Sequence, residues 1–433
     1  MQPTAGSSAE VRLFNRDFTL LWQGQLVSQL GSQAFLVATM YWMMEATGSA
    51  SLVGVVMMLS ALPMVLLGPL GGTLADRRAR VPILVVCDAV SGVAVLSLAG
   101  LLLSGRASTG LTVAWLFAVV AAVGCVRAFF LPAVTAAVPD LVPAASLPAA
   151  NSLFQLSSQG STVLGQALGG VLYRLLGAPW LFVADGVSYL LSAASESFIR
   201  QPAVAKGPRK KPAAVFAEYA RDTGEGFAYL RRRPGLLALL VAASAVNFFL
   251  MPVFVLLPFY VEQRLGAGAA WYGFLLSGLS AGSIAGSVIA GLLRLTQRRR
   301  GALMVASFFA ASVLLGLLGV ATSRYLALTL LTAAGLASGL INVHVITLFQ
   351  TATPPELRGR VLSLVIALGG AVTPLGMLVG GVLGDVTGMR LAAIFVGCGA
   401  AATATVSIAT AQSAFRALLG GDGPAGDEGE DEP

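Results

Sequence analysis

The chain has 433 residues, of which 56% are hydrophobic and 11% charged, against about 25% charged in a typical soluble domain. Its mean hydropathy of +0.82 leaves too little polar surface to cover a soluble core of this size. A soluble enzyme, a disordered scaffold and a nucleic-acid module are excluded, and the net charge of +7 is no nucleic-acid footprint, because the basic residues lie between apolar segments.

A membrane-crossing helix needs about 20 mostly apolar residues. The segment 1–17 has no apolar core and no cleavage site, so it is expected as a short cytoplasmic lead-in rather than a signal peptide. Six apolar segments follow, over 18–44, 49–75, 81–104, 110–137, 150–177 and 178–200. The segment 201–233 begins basic and proline-containing and turns amphipathic (Phe216-Ala-Glu-Tyr219, Phe227-Ala-Tyr-Leu230), which predicts a cytoplasmic linker with a surface helix held by anionic lipid. Six more apolar segments cover 234–262, 270–294, 300–320, 324–350, 360–386 and 390–412. The tail 413–433 is rich in acids and is expected to be a disordered cytoplasmic end. The fold class is therefore all-α and integral to the membrane, with twelve helices in two bundles, 18–200 and 234–412.

Loop charge sets the orientation. With the N-terminus in the cytoplasm, 21 Lys and Arg fall on the cytoplasmic side, five on the opposite side, and Arg127 within a span. That imbalance puts both termini in the cytoplasm. Trp42, Trp180 and Trp271 fall at outer helix ends, where interfacial aromatics belong.

The two halves repeat. Pro139-Asp140-Leu141 leads to Gly165-x-x-x-Gly169-Gly170, and Pro355-Glu356-Leu357 leads to Gly376-x-x-x-Gly380-Gly381. Parallel six-helix repeats are one architecture of secondary transporters, with the substrate site between them near the midplane. The cofactor inventory is empty. Three cysteines lie inside apolar runs, one His cannot make a His-rich metal site, and none of the three lysines sits in a P-loop.

After the second segment the chain reads Gly72-Thr-Leu-Ala-Asp76-Arg77-Arg78-Ala79-Arg80. This resembles motif A of the major facilitator superfamily, with Ala79 in place of the motif's glycine. Asp76 at a helix C-terminus opposes the dipole and needs a cation, which Arg77 or Arg80 can supply; such a pair can latch one conformation and release another. Phe14-Asn-Arg-Asp-Phe18, Gly48-Ser49, Leu62-Pro63, Ala149-Ala-Asn151-Ser152, Glu225-Gly226-Phe-x-Tyr229-Leu230 and Gly359-Arg360-Val361 resemble the branch containing macrolide-efflux proteins and enterobactin exporters. Gly165-Gln166-Ala-Leu-Gly169-Gly170 resembles the antiporter motif of the fifth helix, with Gln166 where proline is usual, and suggests gating by Gly165, Gly169 and Gly170. Relatives often carry an acid after the first-helix glycine; here Ser32 follows Gly31. The resemblance implies proton-driven export of a hydrophobic or amphipathic small molecule by alternating access, from a monomer in a bacterial-type inner membrane. A lipid or lysolipid flippase, or an importer on the same fold, is the alternative.

Ionisable residues inside spans are functional candidates by default. Asp88, Asp185 and His344 are candidates for proton coupling, each with a plain structural role as its alternative. Glu196 lies near the inner end of its segment, within reach of the interface. The resemblance places Arg127 near the substrate path, where it binds an anionic substrate or balances an acid; otherwise it pairs with Asp88 or Asp140 and joins helices. Gln25, Gln29 and Gln33 repeat every four residues beside Ser28 and Ser32. Gln155, Gln159, Thr162 and Gln166 share one helical face. Asn247 and Asn342 add amides in the second half. Glutamines facing lipid are costly, so Gln25, Gln29, Ser32, Gln33, Arg127, Gln155, Gln159, Asn247 and Asn342 are the candidate substrate-binding set.

Overall fold

The computed structural model describes residues 14–75, 78–200 and 212–420. Among them the chain is all-helical. The helices α1 (Arg16–Thr47), α2 (Ala50–Ala75), α3 (Arg80–Leu103), α4 (Thr109–Leu141), α5 (Leu147–Leu176) and α6 (Ala178–Ser197) cover the first six apolar segments. Then come α7 (Pro212–Arg231) and six further long helices: α8 (Pro234–Phe259), α9 (Ala269–Leu292), α10 (Gln297–Leu318), α11 (Arg324–Ala352), α12 (Pro355–Val386) and α13 (Leu391–Ala411). The short α14 (Ser413–Gly420) ends the described chain. Nine of these are long and apolar enough to cross a membrane; α1 and α5, which carry the glutamine stripes, and α6, which carries Asp185 and Glu196, are not among the nine. Polar stripes lower their hydropathy without shortening them.

The described residues sort into two compact units, one within Met1–Trp42 and Leu62–Phe216, the other within Met43–Ala61 and Ala217–Pro433. In the first, α3 packs on α4 and α6. The α3–α6 crossing is close because Gly92 and Gly186 face each other: a Cβ on Gly92 would lie 2.9 Å from the Gly186 carbonyl. In the second, α9 packs along α11 through reciprocal glycines. A Cβ would fall 2.0 Å from the Thr332 carbonyl at Gly282, 2.1 Å from that of Leu336 at Gly286, 2.0 Å from that of Leu279 at Gly335 and 2.1 Å from that of Ser283 at Gly339. Small residues at four-residue spacing let the two backbones touch.

The repeated glycine motifs do the same work in each unit. Gly165 and Gly169 of α5 pack on α1, where a Cβ would lie 2.9 Å from the Leu30 carbonyl and 2.8 Å from Ala34 Cα. Gly376 and Gly380 of α12 pack on α8, at 2.8 Å from the Phe248 carbonyl and 2.4 Å from Pro252 Cα. Two other motif pairs also meet. Arg80 donates to Asp140 at the end of α4. Arg360 donates to Glu225, and a Cβ on the adjoining Gly226 would lie 2.9 Å from the Arg360 carbonyl.

The N-terminal end of α2 takes its cap from α12. Asp385 accepts from the Ala50 amide at 2.9 Å, the Ser51 amide at 3.0 Å and the Ser49 hydroxyl at 2.8 Å. A carboxylate here satisfies amides that a helix start leaves free and complements its dipole. Asp385→Ala is expected to destabilise the protein by about 1 kcal/mol, read as a lower melting temperature of the purified protein; an unchanged melting temperature would show that water replaces the cap without loss.

Candidate functional site

In the first unit the polar faces of α1, α3, α4 and α6 surround a cavity of ≈ 130 Å³. Gln25, Gln29, Ser32 and Gln33 line it from α1, Asp88 and Ser91 from α3, Arg127 from α4, Ser158 from α5 and Tyr189 from α6. Helical periodicity brings the α1 residues onto one side, and the glycine contacts of α5 and the α3–α6 crossing hold the surrounding helices close.

Three carboxylates stand in and behind this wall. Asp88, Asp185 and Glu196 are all buried. Gln25 Nε2 donates to Glu196 Oε1 at 2.9 Å. Ser32 Oγ lies 3.4 Å from Asp185 Oδ1 and 2.9 Å from the Tyr189 hydroxyl. The second oxygen of each acid, Asp88 Oδ2, Asp185 Oδ2 and Glu196 Oε2, has no hydrogen-bond partner. The Ser192 hydroxyl lies beside Asp88 and Glu196 without reaching hydrogen-bond geometry. Asp88 is in electrostatic reach of both other acids. Buried carboxylates left partly unsatisfied are costly as anions, and a proton is the smallest ligand that removes that cost.

Arg127 faces the same cavity and is exposed to it. It makes no ion pair among the described residues, with Asp88 or with Asp140, which is held by Arg80. A fixed positive charge thus faces an accessible space beside buried acids. Gln33 Oε1 accepts from Gln166 Nε2 at 3.4 Å, so the residue standing in for the usual proline of α5 reaches α1.

Other candidate positions fall elsewhere. Gln155 is exposed and Gln159 half-buried; neither lines the cavity, to which α5 contributes Ser158 instead. Asn247 and Asn342 are exposed on α8 and α11 of the second unit. His344 also belongs to the second unit, buried beside Arg300 and apart from the acids. Asp76 and Arg77 lie outside the described residues. Gly165, Gly169 and Gly170 are buried on α5.

Glu196, placed by the sequence within reach of the interface, is fully buried and accepts from Gln25 of α1. The missed signal was periodic. Asp185, Tyr189, Ser192 and Glu196 follow the i, i+4, i+7, i+11 pattern that marks one helical face. The same face brings Asp185 of α6 to Ser32 of α1.

Comparison with known proteins supplies the remaining context. The family model described as Major Facilitator Superfamily matches residues 21–374 and 272–411. The chain is 26% identical over 376 residues to Macrolide efflux protein A of Streptococcus pyogenes, covering 86% of this chain and 90% of that one. It is 26% identical to the enterobactin exporter EntS of Shigella flexneri, over 67% of this chain and 66% of that one. Its fold is similar to that of the nucleoside transporter NupG, with a TM-score of 0.72 at 11% identity, covering 93% of this chain and 100% of NupG.

Proposed function

The chain belongs to the Major Facilitator Superfamily, and from that premise we propose that it exports a hydrophobic or amphipathic small molecule in exchange for protons. It is a transporter of the macrolide-efflux and enterobactin-exporter branch, not an enzyme. In this reading its twelve long helices cross the membrane as two groups of six, with both termini in the cytoplasm. The substrate class is a macrolide-like drug, another natural product or a siderophore. Protons drive it through Asp88, Asp185 and Glu196, which take up and release protons as the cavity opens to either side. Arg127 meets an anionic portion of the substrate or an emerging carboxylate. The amides of Gln25, Gln29 and Gln33 offer hydrogen bonds without fixed charge, which suits a large, mostly uncharged solute. Asp76 and Arg77 act as a cytoplasmic latch together with Arg80, which Asp140 holds, and Gly165, Gly169 and Gly170 act as the close contact across which α5 slides.

The observation that carries this reading is a cavity lined by the partly unsatisfied Asp88 and by Arg127, with Asp185 and Glu196, each also partly unsatisfied, buried behind Ser32 and Gln25 of its wall. The test is substrate-induced proton movement in proteoliposomes holding a pH gradient, screened with macrolides, siderophores, lipophilic cations and lysolipids. Proton efflux from the vesicles on addition of one class is expected. Substrate binding without proton movement in any class would remove antiport.

A second reading, lysolipid flipping on the same fold, has one observation in its favour. A groove of ≈ 680 Å³ between α8, α12 and α13 is lined by apolar side chains, with Arg390 and Thr387 at one end. It has room for an acyl chain and a cation for its phosphate. Flipping that proceeds without a pH gradient would favour this reading over the first.

A further inference from the structure

We infer that the second unit holds a binding site for a phosphate-type oxyanion, built by Arg300, His344, Gln297 and Thr351 and separate from the carboxylate cavity. These side chains line a cavity of ≈ 100 Å³ beside the first turn of α10, with Leu418 of α14 on its edge. At about 30 Å³ per water, that is room for one tetrahedral oxyanion.

Four observations point to an anion rather than to plain packing. First, Arg300 makes no ion pair among the described residues, whereas Arg80, which opens the corresponding helix of the first unit, is held by Asp140. The repeat supplies an arginine near each of these helix starts, but among the described residues only Arg80 has an acidic partner. Second, His344 is 4% exposed, lines the cavity, and leaves Nδ1 without a hydrogen bond. Third, the guanidinium of Arg300 lies in electrostatic reach of that imidazole. A guanidinium and a buried imidazole with a free nitrogen, with no carboxylate among the residues lining the cavity, suit an external oxyanion as the counter-charge of Arg300. Fourth, the N-terminus of the 22-residue α10 leaves amides without acceptors within the helix and carries partial positive charge. The guanidinium is suited to two oxygens of one phosphate group. The Thr351 hydroxyl and the Gln297 amide supply neutral donors beside it.

The ligand chemistry has two sources, a free phosphate or the headgroup of an anionic phospholipid. The neighbouring Arg298 and Arg299 keep both open. The test uses the purified full-length chain. Its melting temperature is measured with inorganic phosphate against sodium chloride of equal ionic strength. It is then measured in phosphatidylglycerol against phosphatidylcholine nanodiscs. The wild-type chain is expected to melt higher in phosphate or in phosphatidylglycerol. Arg300→Gln is expected to bind about tenfold more weakly, and His344→Gln to lose part of the shift. A shift in phosphate identifies the free anion; a shift in phosphatidylglycerol alone identifies the headgroup. Absence of both shifts in the wild type, or shifts in both variants as large as the wild type's, overturns the site. Should Arg300→Gln not fold, His344→Gln and the wild-type chain decide the matter.

Discussion

Gly335→Leu in α11 is expected to leave almost no folded protein. The Leu279 carbonyl of α9 stands 2.0 Å from where its Cβ would be built, and that atom belongs to a backbone that cannot rotate away. The same helix pair is closed by Gly282, Gly286 and Gly339, so one helix cannot retreat at a single point without opening the other contacts. Overpacking alone costs about 1–3 kcal/mol. Separating a backbone-to-backbone seam belongs with the exceptional cases above about 4 kcal/mol. Gly291→Leu is the matched control, because nothing lies within 4 Å of its Cβ position on α9. Detergent-extracted yield and the size-exclusion profile read the outcome. Equal monodisperse yield of the two variants would mean that the seam is not required for folding.

The second large effect is functional. Asp88→Asn and Glu196→Gln preserve shape and hydrogen-bonding capacity while removing the exchangeable acid. Each is expected to reduce substrate-induced proton movement to the background of protein-free liposomes. Substrate binding should change by less than about 1 kcal/mol, the value of one ordinary hydrogen bond. Gln25 can still donate to the remaining carbonyl oxygen of the new amide at 196, so folding is expected to survive. Proton movement at the wild-type rate in both variants would leave Asp185 as the coupling acid, and the same loss of signal would then be sought in Asp185→Asn.

The helices were legible in the sequence because hydropathy is local. Every apolar segment expected to cross the membrane is covered by one helix, with the largest difference at the start of α12, where Pro355 opens the helix earlier than the charged 355–360 stretch suggested. Asp88, Asp185 and Arg127 were legible as candidates because a charge inside an apolar run is conspicuous. Their company was not. Whether Arg127 pairs with Asp140 depends on where α3 begins relative to the end of α4, and Arg80 takes that carboxylate first. Depth along a helix made Glu196 look interfacial, whereas its burial depends on Gln25, which is distant in the sequence. His344 resembled the acids as an intramembrane titratable group, yet tertiary structure places it with Arg300. The amides of Gln155 and Gln159 shared a face in the periodic pattern, but periodicity does not say which side of α5 the cavity is on.

The division between nine apolar helices and the polar α1, α5 and α6 bears on how the chain is made. A segment carrying several glutamines or acids partitions poorly from the translocon into lipid on its own. Such a segment stays in the bilayer when a neighbour hides its polar face. α6 follows α5 through Gly177 alone, yet its acids face Gln25 and Ser32 of α1, so its polar face is hidden by a helix made earlier rather than by α5. α1 leads the chain and has α2 as its first available companion. Biogenesis is therefore expected to keep α1 available until α5 and α6 arrive, since these helices face its polar side.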